Sequence, residues 1–209
     1  VVAGMLANNE NNGAGYTDDY FPNNYAYIRK AWLVYENIDK VADMSDRDKA
    51  VVKAEMQVLV AFRYVEMLKR YGGVPLVEST LTTVDVRPRS TVQQTLDFIV
   101  GLCDAAAATL EGVRWPADWL GRVNKGVALA VKAEALMYAA RPLFNADAPY
   151  MQMADPANNE MIWLGGYDAK RWETARLANQ EVIDWGKANG FESVSYTHLR
   201  AHETRSNLV

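Results

Sequence analysis

Apolar residues recur at three- and four-residue steps along most of this chain, the spacing that gathers them on one face of an α-helix. Val51, Ala54, Val58, Ala61, Phe62, Val65 and Leu68 form one such stripe, while Lys53, Glu55, Arg63, Glu66 and Arg70 fall mainly elsewhere. The pattern predicts a heavily buried central helix with Phe62 in its core, where truncation to Ala is expected to cost about 3–5 kcal/mol. Tyr25, Ile28, Trp32, Tyr35 and Ile38 mark the face of an earlier helix. In all, the period predicts five helices, at about 24–40, 47–71, 90–110, 123–141 and 168–189. Only VPLV, residues 74–77, reads as a possible short strand. The expected fold class is therefore all-α.

The punctuation between helices is uneven. At Gly72-Gly73, followed by Pro75, the central helix stops: a glycine can take up the left-handed conformation that closes a helix, and the proline prevents its resumption. Lys69 and Arg70 suit the negative end of its dipole, and Ser45 or Asp46 suits its N-cap. Residues 7–24 are crowded with Asn, Gly and Asp, which is loop chemistry. The segment 72–89 is extended, 111–121 carries two tryptophans, and 142–167 is long. Helix pairs with such joints suggest a tetratricopeptide-like helical repeat array with long loops. YDAKRWETARLANQEVIDWG has the aromatic and small-residue spacing by which such helices interlock, although no strict period of about 34 residues is visible.

Composition removes several function classes. The 209 residues are 50% hydrophobic, enough for a substantial core, and carry a formal net charge of -4. No clustered basic surface of the kind that neutralises phosphates is present, so nucleic acid is not an expected partner. No run approaches the length of about 18 apolar residues that a membrane span needs. Cys103 falls in register with Val92, Leu96, Ile99, Ala106 and Leu110, as a small buried hydrophobe would.

Catalytic chemistry is poorly represented. Both histidines, His198 and His202, sit in the last fifteen residues, so the rest of the chain cannot assemble a Ser-His-Asp or Cys-His system. Their i, i+4 spacing suits zinc, but Glu203 is misplaced for an H-E-x-x-H site, and neither a metal nor any other cofactor is expected. Asp18-Asp19, between Tyr16 and Tyr20, is the carboxylate pair a glycosidase would require, though adjacent residues rarely face one substrate. DMSDRDK lacks the glycine and terminal Glu of a calcium loop, and GAG at 13–15 lacks the strand and third glycine of a dinucleotide site. Aromatics are the residual signal. Trp32, Trp172 and Trp185 take helical positions and read as core; Trp115, Trp119 and Trp163 lie in loops.

At AEMQVLVAFRYVEMLKRYGGVPLVE the chain resembles the signature helix and turn of the SusD/RagB family, the surface glycan-binding lipoproteins of Bacteroidetes. YAYIRKAWLVYENIDKV resembles the preceding helix of that family. RPRSTVQQTLDFIVGLCDAAAATL, GRVNKGVALAVKAEALMYAARPLFN and WETARLANQEVI resemble the three that follow, so the resemblance covers most of residues 25–183. It implies a tetratricopeptide-like scaffold that supports a binding surface and contacts a SusC-like TonB-dependent transporter. The chain departs from the pattern at Val60, where the signature usually carries an arginine. The family's lipidated cysteine, which would supply a lipid anchor in the outer membrane, its signal peptide and its large C-terminal portion have no counterpart here. Residues 1–194 are accordingly expected to be an internal SusD-like fragment. Residues 195–209 are set apart, because SYTHLRAHET resembles translated sequencing-adapter sequence.

The leading expectation is noncatalytic oligosaccharide binding at the outer-membrane surface. A helical-repeat protein adaptor is the first rival and a carboxylate glycosidase the second. Sugar rings need a stacking platform beside planar hydrogen-bonding groups, which points to loops and not to helix faces. Tyr16, Tyr20 and Trp163 are the expected ligand-binding residues, ranked above Trp115 and Trp119 because the shorter connection carrying those two leaves less room for a concave site.

Overall fold

The structure, a computed structural model, describes residues 21–81, 86–119 and 121–191. Its helices are Phe21–Asn37 (α1), Asp46–Tyr71 (α2), Val92–Thr109 (α3), Lys125–Ala140 (α4) and Lys170–Ala188 (α5). Short 3-10 turns occupy Ile38–Lys40, Ala117–Trp119 and Pro156–Met161, and no strand occurs among the described residues. All five predicted helices are present. α1 starts ahead of its predicted boundary, with Pro22 in its first turn, where a missing N–H is tolerated. The proposed tail, residues 195–209, lies outside the described residues.

Local chemistry accounts for the helix ends. Ser45 caps α2, its hydroxyl accepting from the Asp48 N–H. Thr91 and Gln94 form a reciprocal capping box on α3. Asn124 accepts from the Val127 N–H at the start of α4. Each satisfies donors that the first helical turn leaves without a partner.

α2 is the centre of the array. It packs on α1 and α3 and more lightly on α4, which in turn packs on α3 and α5. Val60, Ala61, Tyr64, Val65, Met67 and Leu68 have no exposed surface, so burial extends well beyond the single stripe that periodicity suggested. Val60, at the position where the SusD-like pattern carries an arginine, makes an apolar contact in the core. Phe62, expected in the core, is instead 37% exposed. It lines an open cleft of about 450 Å³ together with Gly126, Val127 and Ala130 of α4 and Val182 and Trp185 of α5, which do not close over the ring.

The corner at Gly72-Gly73 is defined by space. Gly72 has φ +74°, and a Cβ there would lie 2.4 Å from the Met161 carbonyl oxygen. At Gly73 a Cβ would lie 2.0 Å from the Ser90 carbonyl oxygen. The Gly73 N–H donates to Met161 O at 2.7 Å. The Arg89 guanidinium closes the corner, donating to the carbonyls of Gly73, Tyr71 and Met161.

The segment after the corner is extended but is not the short strand that VPLV suggested, because most of its hydrogen bonds go to side chains, with one backbone bond from Ser90 N–H to Val74 O. Val74 N–H donates to Thr95 Oγ1, and Val77 N–H donates to the Tyr64 hydroxyl. The hydroxyls of Tyr25 and Tyr64 both donate to Pro75 O, and the Trp32 indole N–H donates to Val77 O at 2.8 Å. Burial holds the phenol pKa values of Tyr25 and Tyr64 above their ordinary range, so both remain donors at any physiological pH.

Two expectations follow for stability in urea. Gly73→Ala should destabilise by about 2 kcal/mol or more because backbone has to move, whereas Gly101→Ala, whose Cβ would meet open space inside α3, should stabilise by about 0.5–1 kcal/mol. Phe62→Ala should cost under about 1 kcal/mol, while Leu68→Ala on the buried side of the same helix should cost about 2–5 kcal/mol.

Candidate functional site

Two aromatic loops lie near opposite ends of α2. The first, between α4 and α5, folds back on the Gly72 corner through Met161. The buried Asn145 side chain pins its ends: the amide donates to Ala140 O and Asp168 O, while the carbonyl accepts from Asp168 N–H and Arg171 Nη1. Arg171 also donates to the Gly166 and Leu164 carbonyls. Within this frame Trp163 is half-buried, its indole N–H donating to Ala146 O at 2.7 Å. Tyr150 and Tyr167, 61% and 56% exposed, stand on the same loop.

The second loop joins α3 to α4. Trp115 donates its indole N–H to Val123 O at 2.8 Å. The Arg122 guanidinium carbon lies 3.8 Å from the Trp115 ring centroid and 4.6 Å from that of Trp119. The two indoles are 5.8 Å apart, tilted by 35°. Arg122 is held in turn by both carboxylate oxygens of Glu55, a buried residue of α2. This bidentate pair is the geometry for which a guanidinium fork is suited. Trp119 thus stands at the end of a ladder, Glu55 to Arg122 to the indoles, that begins in the core.

The remaining sequence expectations fall in several places. Trp163 is ordered on its loop; Tyr16 and Tyr20, with Asp18 and Asp19, lie outside the described residues, as do His198 and His202. Of the three expected ligand-binding residues, Trp163 alone lies among the described residues. Trp32 is buried and Trp185 half-buried, as expected of core residues, but Trp172 is 41% exposed because only the Ala175 and Ala178 side of α5 meets α4. Cys103 is buried, and burial, with a smaller contribution from Asp104, pushes its thiol up to about 12, which suits a packing role. Sequence reading missed the Glu55–Arg122 pair, which joins residues far apart along the chain. It also passed over Tyr150 and Tyr167, whose only signal was their place in the long loop.

A helical array of this kind is the architecture of SusD-like proteins. The SusD-like family described as starch-binding and associating with the outer membrane matches residues 3–139, more than half the chain. The chain belongs to this family. Among solved structures it is similar to BT4246, with 30% identity and a TM-score of 0.72 over 83% of this chain and 30% of that one. It is also similar to a SusD-like protein from Bacteroides fragilis, with 32% identity and a TM-score of 0.55 over 59% of this chain and 24% of that one. A crystal structure with xylogluco-oligosaccharide shares the fold at 21% identity and a TM-score of 0.58, over 79% of this chain and 29% of that one. The chain therefore spans less than a third of the length of these structures. No curated protein matches it by sequence.

Removing the guanidinium at Arg122 would leave the Glu55 carboxylate buried without its partner. Arg122→Ala should lower stability by about 2–3 kcal/mol, less than a fully buried pair because the arginine is partly exposed, and should alter the near-ultraviolet dichroism of the two indoles it stacks on.

Proposed function

We propose that this chain is part of a noncatalytic protein that binds oligosaccharide at the outer-membrane surface and passes it to a SusC-like TonB-dependent transporter. The observation that carries this reading is the family match over residues 3–139, whose description joins starch binding to the outer membrane. The fold shared with a xylogluco-oligosaccharide structure supports the same ligand class. Physical chemistry agrees with it: a sugar ring offers C–H faces to aromatic side chains and hydroxyls to amides and carboxylates.

Tyr16, Tyr20 and Trp163 are the proposed ligand contacts. Trp163 suits the role because its N–H is fixed to Ala146 O while part of the ring stays open, so stacking would cost little side-chain entropy. The exposed Tyr150 and Tyr167 widen the aromatic surface of that loop.

The test is isothermal titration of malto-oligosaccharides and xylogluco-oligosaccharides into the chain extended to full family length. Binding without release of reducing ends is expected. Replacing Tyr16, Tyr20 and Trp163 together by Ala should weaken it by about 1 kcal/mol or more without loss of helicity. Unchanged affinity would remove these residues from the site, and no binding across the panel would favour a protein adaptor.

A further inference from the structure

We infer that the cleft between the α1–α2 turn and the Trp115–Trp119 loop is a separate saccharide subsite, with Trp119 as its stacking surface and Asp43 and Arg122 as its polar groups. The choice of ligand class rests on the glycan-binding reading above; the location does not depend on Tyr16, Tyr20 or Trp163.

Trp119 is 51% exposed and yet tightly positioned. Arg122 lies over its ring, Trp115 lies beside it, and both are tied down by Glu55 and Val123. Its exposed surface adds little to the core, so stability alone gives no reason to hold it so firmly. A stacking platform needs both properties, since a ring fixed in advance binds a ligand at small entropic cost. The indole nitrogens of Trp32, Trp115 and Trp163 each donate a hydrogen bond, whereas that of Trp119 has no acceptor among the described residues.

The adjacent cleft measures about 520 Å³, within the size range of small-molecule sites. Val51, Val52 and Met44 supply apolar surface, and Asp43 and Asp48 line it together with the indoles and Arg122. Asp48 accepts from the Ser45 hydroxyl. Asp43 has no hydrogen bond or ion pair among the described residues, and Arg122 commits Nε and Nη2 to Glu55, leaving Nη1 uncommitted.

An anion would meet Asp43 and Asp48, and a wholly apolar molecule would desolvate charges without replacing their hydrogen bonds. Because Glu55 already neutralises Arg122, the choice of a neutral sugar over a cation rests on the glycan-binding reading. A neutral ring with a C–H face and hydroxyls that both donate and accept satisfies every wall, and a pyranose is such a ring. The subsite is also distinct in position. Arg122 meets α2 at Glu55 and the Trp163 loop meets its end at Gly72, roughly 25 Å apart at the rise of an α-helix.

The six tryptophans make the test direct. In the tryptophan-labelled protein, titration with maltotriose, and separately with a xylogluco-oligosaccharide, should give a saturable shift of the Trp119 indole N–H resonance, assigned by its loss in Trp119→Phe. Trp119→Ala should weaken that saccharide's binding about fivefold or more, as loss of one aromatic contact would. Asp43→Asn, an exposed change that leaves the Glu55–Arg122–Trp119 ladder intact, should weaken it as well and guards against a folding defect in the tryptophan variant. A Trp119 resonance that stays fixed with both sugars overturns the subsite, even if other indoles move. A shift that survives in the Tyr16, Tyr20, Trp163 triple variant supports an independent subsite. If the triple variant abolishes the shift, the two loops form one site and the inference of a separate one falls.

Discussion

The close approach of three backbone segments at Gly72-Gly73 is the constraint on which the rest of the array depends. The end of α2, the Ser90 backbone ahead of α3 and the Met161 carbonyl in the long loop come so near that no side chain fits between them. The chain that leaves the corner then runs through the interior and pairs with no strand among the described residues. Its polar groups are satisfied by Thr95 of α3, Tyr64 of α2, and Tyr25 and Trp32 of α1. Each such bond contributes only about 0.5–1.5 kcal/mol net, but a buried amide left unpaired would cost more. One short extended segment therefore fixes three helices and a loop relative to one another.

Arginines carry a comparable duty in the connections. Arg89 gathers three carbonyls at the corner, Arg171 gathers the Asn145, Gly166 and Leu164 carbonyls in the long loop, and Arg122 joins the α3–α4 loop to Glu55. A planar fork of donors can bind several fixed acceptors with little further loss of freedom, which a lysine ammonium does less well. Loops anchored in this way present aromatic rings without hiding them. Trp163 and Trp119 are both examples, one braced through Ala146 and the other through Arg122.

In this arrangement helices supply rigidity and the loops carry exposed aromatic rings. Catalysis would demand groups tuned for proton transfer or nucleophilic attack, whereas binding a sugar needs orientation and a fixed aromatic surface. The described loops hold aromatic rings in fixed positions at two places along α2.

The sequence by itself determined the number and nature of the helices, the cap of the central one and the corner, because these follow from spacings of a few residues. The stripe of Val58, Ala61, Val65 and Leu68, the Ser45 cap and the paired glycines are local statements, and family resemblance rests on the same blocks. Tertiary structure decided what local pattern leaves open. Phe62 and Val60 are two residues apart in a single helix, yet the phenyl ring lines an open cleft beside α4 and α5 while the valine is sealed in the core. VPLV has the composition of a strand but no strand beside it among the described residues, since Tyr64, Trp32 and Thr95 take most of its hydrogen-bonding positions. The ladder from Glu55 to Trp119 spans residues whose adjacency no short-range period encodes; it exists only where α2 and the α3–α4 loop are packed together.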